Sequence, residues 1–208
     1  MKKFLIILSC LFLVGCTSSV TSNQTYESLI MNTLNNEITH YNTLGKGFKY
    51  YKPRDFSIYK DENFNHVLLN KGNKYFLNVD INGYYNKYEH TYSVNPEIEY
   101  SKSFEYNDML GYLEIRKGKK DYFYIKMMYN YSYIEVNVKE NELKPAVVNS
   151  IIILSSIKYN DKVIDNFISQ GDLNAKEITY EIRKPNNSNS NKNILDVYDK
   201  DQYNGDAN

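Results

Sequence analysis

The spacing of hydrophobic residues changes along the chain, and the change predicts a helix followed by a series of strands. Between Tyr26 and Tyr41 the hydrophobic residues recur at steps of three and four, with polar residues between them. This period is typical of an amphipathic helix, which we expect to end before Gly45. After Gly47 the period becomes two, which is typical of strands that bury one face. The globular part of the chain therefore combines helix and sheet.

The strand predicted at residues 122–129 is hydrophobic or aromatic on both of its faces, unlike its neighbours. The stretch 133–138, for example, alternates hydrophobic residues with Glu135 and Asn137. A central strand that is covered on both sides indicates a sheet between two layers. The predicted fold class is therefore α+β, with an antiparallel twisted sheet sandwiched between helices.

One covering helix is predicted at residues 144–158, where hydrophobic residues occupy most of the helical circumference. Pro145 suits its first turn. Its serine and asparagine residues argue against a second membrane anchor. We expect it to be the most buried helix of the domain.

The first sixteen residues have the pattern of a bacterial lipoprotein signal. Lys2 and Lys3 precede an apolar run over residues 4–14, which leads into Gly15 and Cys16. The basic end stays inside, the short apolar helix enters the membrane, and small residues before the cysteine admit a peptidase. We expect cleavage between Gly15 and Cys16 and lipid on the Cys16 sulfur. The protein would then be anchored to the outer, extracytoplasmic face of the cell membrane.

Two alternatives to this cleavage are less well supported. A retained transmembrane helix needs about 20 apolar residues, and this run is shorter. Lipid attachment at Cys10 would leave only residues 4–9 as the apolar segment. The length of the run therefore favours Cys16.

The predicted signal covers residues 1–15. The chain after it divides into a tether, one domain and a tail. Residues 16–25 are polar and lack aromatic side chains, as expected of a flexible tether. Residues 26–184 suit a single α+β domain, whose last predicted strand is the alternating stretch 177–183. Residues 185–208 are rich in Asn, Ser and Asp and are predicted to be disordered.

Charge and cysteine content exclude several classes of function. The formal net charge is 0, and it becomes −2 (23 basic minus 25 acidic residues) when Lys2 and Lys3 leave with the signal. Nucleic acid is not an expected partner, because phosphate binding needs a basic surface. With Cys10 removed and Cys16 lipidated, no thiol is left for a disulfide, a nucleophile or a metal site.

Tyrosine is abundant, with 22 residues, and tryptophan is absent. Aromatic rings stack on the apolar faces of other molecules and can form a sugar-binding surface. Heavy use of Asn, Lys, Ile and Tyr together is also typical of an AT-rich coding sequence, and tyrosine suits strands. The second explanation is the stronger on the sequence alone. The tyrosine-rich segment at residues 84–106 is interpreted as a long surface loop with one edge strand.

No residues are spaced for metal binding, and we expect no cofactor. His40, His66 and His90 fall in a predicted helix, a strand start and a loop, with no two spaced to share a face. Two acidic stretches, residues 80–83 and 199–206, resemble calcium loops. In both, however, glycine is displaced from the sixth position that the loop requires.

Three acidic residues form the only candidate for catalysis. Glu97 and Glu99 would share one face of a strand, and Glu105 follows close by. A pair of carboxylates at a defined separation is what glycoside cleavage needs. A charged, exposed sheet edge explains the same residues equally well.

The order of these parts resembles the PsbP- and DcrB-like lipoproteins. The resemblance rests on the opening motif Gly45-x-Gly47-Phe48-x-Tyr50-x-x-Pro53 and on a closing helix that ends in Ile153-Leu154-Ser155-Ser156-Ile157-Lys158. It spans residues 45–159 and implies an α/β/α sandwich with an accessory or binding role and no chemistry of its own. The loop at 84–106, the strand near Ile178 and the tail depart from the family pattern.

Three functional hypotheses follow. The leading one is a membrane-anchored, non-enzymatic binding or accessory module that acts outside the cytoplasm on an unknown protein or small-molecule ligand. The second is a hydrolase of cell-envelope glycans that uses Glu97, Glu99 or Glu105. The third is a structural spacer or surface lipoprotein.

Overall fold

The computed structural model describes residues 23–169. The signal, Cys16, all but the last three residues of the tether, the strand predicted at 177–183 and the tail lie outside the described residues. Between residues 23 and 169, no helix has the length and apolar character needed to cross a membrane.

The described chain is an α+β fold with two antiparallel sheets. In chain order its helices and strands are α1 (Tyr26–Leu34), β1 (Thr43–Gly45), β2 (Phe48–Tyr50), β3 (Ser57–Glu62), β4 (Asn65–Asn70), β5 (Asn73–Val79), α2 (Ile81–Asn86), β6 (Tyr100–Tyr106), β7 (Met109–Lys117), β8 (Tyr122–Tyr129), β9 (Ser132–Lys139), α3 (Leu143–Ser155), β10 (Lys158–Tyr159) and α4 (Asp161–Ser169). A 3₁₀ turn at Glu140–Glu142 precedes α3.

Seven strands form the larger sheet in the order β3-β4-β5-β9-β8-β7-β6. Every neighbouring pair is antiparallel. The smaller sheet has the order β1-β2-β10. The strands predicted around residues 122–129 and 133–138 are confirmed as β8 and β9, and the predicted edge strand within residues 84–106 is confirmed as β6.

The larger sheet has two faces of different chemistry. Leu113, Met127 and Ile134 lie side by side on β7, β8 and β9, because they are cross-strand partners and partners share a face. We call this side the helix face, since α3 packs on β8 and β9 and these residues belong to the same buried cluster as α3. The opposite side, called the polar face, carries Tyr112, Glu114, Arg116, Tyr124, Lys126, Met128, Tyr133, Glu135 and Asn137.

Helix α3 is the central element of the hydrophobic core. Seven of its thirteen residues are buried, and Ile151, Ile153 and Leu154 are completely so. Pro145 lies in its first turn, where a missing N–H costs nothing. Helix α1 packs on α3 and adds Ile30 and Leu34 to the core. The prediction of a deeply buried helix at 144–158 is confirmed, with the helix ending three residues earlier.

Helix α1 is shorter than predicted, because it ends at Leu34 instead of continuing past Tyr41. Asn35 caps the helix, and asparagine is a weak helix former. The chain beyond it is held in an extended form by Asn42, whose amide group bonds both the N–H and the C=O of Lys52 at 2.7 Å. These tertiary hydrogen bonds override the helical spacing of the hydrophobic residues.

Buried and half-buried positions in α3 should respond differently to the same truncation. Ile151→Ala should lower the free energy of unfolding by about 2–5 kcal/mol, because it leaves a cavity at a fully buried site. Ile152→Ala removes the same atoms from a partly exposed position of the same helix and should cost much less. Urea denaturation of the two variants gives both values, and equal losses would contradict this packing of α3.

Candidate functional site

The three carboxylates suggested for glycan cleavage do not form a pair. Glu97 lies in a turn where its N–H bonds the side chain of Asn95 at 2.9 Å, and Glu99 lies in a bend just before β6. The expectation that they share a strand face is wrong, because the Asn95-Pro96 sequence forms a turn there. Glu105 is six residues beyond Glu99, which is about 20 Å along a strand. Glycosidase carboxylates lie no more than about 9.5 Å apart.

The three histidines lie in different parts of the described chain: His40 before β1, His66 on β4 and His90 after α2. No group of three or more His, Cys, Asp or Glu side chains within residues 23–169 could hold a metal ion. Asp80, from one of the two calcium-like stretches, caps helix α2 by accepting the Gly83 N–H at 2.7 Å. The other stretch, residues 199–206, lies outside the described residues.

His66 is completely buried between the two sheets. The hydroxyl of Tyr50 on β2 lies 2.9 Å from its Nδ1, and a carboxylate oxygen of Asp61 on β3 lies 3.1 Å from its Nε2. Burial lowers the pKa of His66, and the negative charge of Asp61 opposes that shift only in part. His66 and Tyr50 therefore form a polar link within the core and have no contact with solvent.

The tyrosines of residues 84–106 mainly pack against the domain. Tyr84 stacks on Tyr159 with ring centroids 3.8 Å apart and donates to Asp161 at 2.8 Å. Burial, with the Asp161 carboxylate, raises the pKa of Tyr84 to about 12. Tyr92 stacks on Tyr112 at 4.3 Å, so this segment covers part of the polar face.

The most unusual chemistry in the described chain is a row of charges across the middle of the polar face. The register places Glu114 on β7 beside Lys126 on β8, and Lys126 beside Glu135 on β9. Lys126 Nζ lies 3.3 Å from one oxygen of Glu135 and 4.7 Å from the ring centroid of Tyr133. A positive group therefore lies between two carboxylates on adjacent strands.

Glu114 is held by other partners at the end of this row. Its Oε2 accepts from Arg116 at 2.8 Å, and its Oε1 accepts from the hydroxyl of Tyr92 at 3.1 Å. The Tyr92 hydroxyl is also 2.6 Å from that of Ser101. Because both oxygens are bonded, Glu114 is a fixed part of the domain.

Glu135 differs from Glu114 because one of its oxygens has no partner. The residue is 3% exposed, and its Oε2 makes no hydrogen bond. On the same face, two residues further along β9, the amide nitrogen of Asn137 is also buried and unbonded. Leaving a buried polar group unpaired costs about 1–3 kcal/mol, and more for a charged group. These two atoms are an acceptor and a donor on the polar face that the described residues leave unused.

The hydroxyl of Tyr112, beside this row, remains protonated. Burial raises the pKa of Tyr112, and the nearby carboxylates of Glu114 and Glu135 raise it further. A protonated phenol can donate a hydrogen bond, as an ionised one cannot. The polar face thus offers donors from tyrosine and lysine and acceptors from glutamate.

Glu114 and Glu135 are themselves a possible carboxylate pair, since they lie two strands apart, about 10 Å between backbones. A glycosidase of this geometry needs one of the two to be a protonated acid. Here Glu114 is bonded to Arg116, and Glu135 contacts Lys126. Each of the two carboxylates therefore already takes part in an ion pair.

Sequence reasoning did not identify this site, although its residues were visible as outward positions of predicted strands. The sequence feature that could have indicated the site is a charged residue at an outward position of each of three successive strands. Recognising it required the register that places Glu114, Lys126 and Glu135 in one row.

Comparison with known proteins adds no residue assignment to this site. No protein-family model matches the chain, and no curated protein matches it significantly. The polar face is therefore described from its own geometry.

The depressed pKa of His66 predicts a pH dependence of stability. Because the folded pKa lies below the unfolded value of about 6.5, the unfolded chain takes up the proton first as pH falls. Stability should be full above about pH 6.5 and decrease below it, by about 1.4 kcal/mol for each unit of pKa difference. Urea denaturation between pH 7.5 and 5 measures this.

Two variants isolate the contribution of His66 from that of the carboxylates. His66→Gln should flatten the dependence below pH 6.5, whereas His40→Gln, at an exposed position, should leave it unchanged. The same slope in wild type and His66→Gln would show that His66 is not responsible.

Proposed function

We propose that this protein is a lipid-anchored, extracytoplasmic, non-enzymatic binding module whose polar face takes the ligand. The observation that carries the proposal is Glu135, a carboxylate that is almost completely buried and yet has one oxygen unbonded. A group of this kind destabilises a fold unless another molecule satisfies it. A bound ligand would supply the hydrogen-bond donor that this oxygen lacks.

The amino-terminal signal supports the location. Its basic residues, short apolar run and Gly15-Cys16 junction have the pattern expected of a lipoprotein signal. The domain begins directly after the proposed tether, where Thr25 caps α1 by accepting the N–H of Ser28 at 3.2 Å. A lipid on Cys16 would therefore hold the domain within a few tens of ångströms of the membrane, since nine residues span at most about 32 Å.

We extend the proposal to the PsbP- and DcrB-like lipoproteins and to their α/β/α sandwich, with helices on both faces of the sheet. The support is an α+β fold with an antiparallel sheet and a contact between the two motifs of the resemblance. Tyr51, in the opening motif, donates its N–H to the hydroxyl of Ser156, in the closing helix, at 2.9 Å. In the described residues, α1 and α3 supply one helical layer.

The anchor can be tested by removing the sulfur that would carry it. Cys16→Ser should abolish fatty-acid labelling and block processing, because the lipid attaches to that sulfur. Metabolic labelling with palmitate and the size of the product on a gel measure both effects. Cys10→Ser is the matched control and should be labelled and processed normally. Normal labelling of Cys16→Ser would refute this anchor.

Ligand binding can be tested by thermal unfolding in the presence of cell-envelope fractions. A ligand at ten times its Kd adds about 1.4 kcal/mol, which is a rise in Tm of about 3–6 °C for a domain of this size. Glu135→Gln should remove most of the rise, because it replaces the acceptor at Oε2. Glu105→Gln, exposed at the edge of the same face, should keep it.

The opposite outcome would favour a different function. If no envelope fraction raises the Tm of the wild type, the binding module is contradicted and the spacer hypothesis takes its place. If a fraction stabilises wild type and Glu135→Gln equally, the protein binds a ligand but not through the polar face.

A further inference from the structure

We propose that the ligand of the polar face is a neutral saccharide. This inference rests on the proposed function, because it names the chemical class that the binding surface accepts. It is carried by the two unbonded atoms on β9, the balance of charge around them and the neighbouring tyrosine ring.

The two unbonded atoms need opposite partners. Glu135 Oε2 needs a donor, and Asn137 Nδ2 needs an acceptor. The residues are two apart on one strand, so their side chains leave the same face about 7 Å from each other. A hydroxyl group both donates and accepts, and a sugar carries several at this spacing. One sugar unit could therefore satisfy both atoms.

The charges around these atoms already balance. Lys126 contacts Glu135, and Arg116 bonds Glu114, so the two cations match the two carboxylates. A charged ligand would introduce an uncompensated charge beside a carboxylate that is 3% exposed. Burying an unpaired charge is strongly unfavourable. The balance therefore favours a neutral ligand.

Tyr133 provides a surface for the less polar side of a sugar ring. It precedes Glu135 by two residues on β9 and is only partly buried. Lys126 Nζ lies 4.7 Å from the ring centroid, so the ring is next to the same lysine that contacts Glu135. Aromatic rings combine a large apolar contact with limited flexibility, and the C–H groups of a sugar can pack against them.

A peptide is a less suitable occupant. Extended peptides bind mainly by adding a strand to a free sheet edge, where main-chain groups are unpaired. The unsatisfied groups here are side chains in the middle of the sheet, on β9, which is paired on both sides. Recognition would have to use side-chain hydrogen bonds, as it does for hydroxyl groups.

Lys126 lies beside the carboxylate that carries the unbonded oxygen. Its ammonium group lies against both Glu135 and Tyr133, and its side chain is 22% exposed. The contact with Glu135 is 3.3 Å, longer than the 2.7–2.9 Å typical of charged pairs. A lysine side chain is flexible and can swing outward. This flexibility lets Lys126 shift to admit a sugar hydroxyl to Oε2 while Nζ stays paired with Glu135.

The experiment is calorimetry on the full chain, lipidated and held in a polyoxyethylene detergent, since maltoside detergents are themselves sugars. The probes are chitotetraose, cellotetraose, the deacetylated cationic form of chitotetraose, tetragalacturonate and the neutral peptide N-acetyl-tetraalanine amide. The proteins are wild type, Glu135→Gln, Asn137→Leu and Glu105→Gln. Thermal unfolding of each variant without ligand confirms that it is folded.

The expected result is that a neutral sugar binds wild type at least tenfold more tightly than either charged sugar. Its affinity should fall at least tenfold in Glu135→Gln and in Asn137→Leu and stay within twofold in Glu105→Gln. If only the peptide or a charged sugar binds, and Glu135→Gln weakens it, the ligand class is wrong while the binding face stands. If a neutral sugar binds equally to wild type and Glu135→Gln, or if no probe binds at all, this inference is overturned. The proposed function is judged separately, by the stabilisation with envelope fractions.

Discussion

Strand β8 has to be buried on both of its faces, and the rest of the domain is arranged around that requirement. Phe123, Ile125 and Met127 face the helices, while Tyr124 and Met128 are almost equally buried on the opposite side. A strand with two dry faces is stable only in the interior of a sheet. Here it has paired strands on both edges and α3 across one face. On the polar face, Tyr124 and Met128 are buried, Tyr92 stacks on Tyr112, and Lys126 remains partly exposed.

The two faces of the larger sheet are covered by different kinds of side chain. On the helix face, branched aliphatic residues such as Ile134 and Val136 pack against α3. On the polar face, tyrosines and methionine cover a row of charges that are only partly paired. The first face supplies most of the hydrophobic stabilisation. The polar face carries the hydrogen-bonding groups that a ligand can use. The stability that the helix face provides allows these groups to be only partly paired.

The sequence predicted the elements better than it predicted the site. Strand β8 was predicted from the hydrophobic residues on both faces of residues 122–129. Helix α3 was predicted from the hydrophobic circumference around Ile151. Both predictions were possible because local periodicity carries that information. The end of α1 was wrong because Asn42 bonds Lys52 ten residues away, which no local pattern shows. The row of Glu114, Lys126 and Glu135 depends on strand register, and the unbonded oxygen on three-dimensional packing. Neither can be obtained from one sequence.

Folding does not in general require a buried row of charges. Replacing a buried ion pair by well-packed hydrophobic residues is often neutral or stabilising, and the adjacent helix face shows that this chain fills such positions with isoleucine and valine. Glu135 nevertheless lies on the strand next to β8. An aliphatic side chain at this position would avoid the free-energy cost of burying a carboxylate. A bonded pair alone could still be explained as a structural contact. The unbonded Oε2 is different, because packing gains nothing from it and only a donor from outside the described chain makes it favourable.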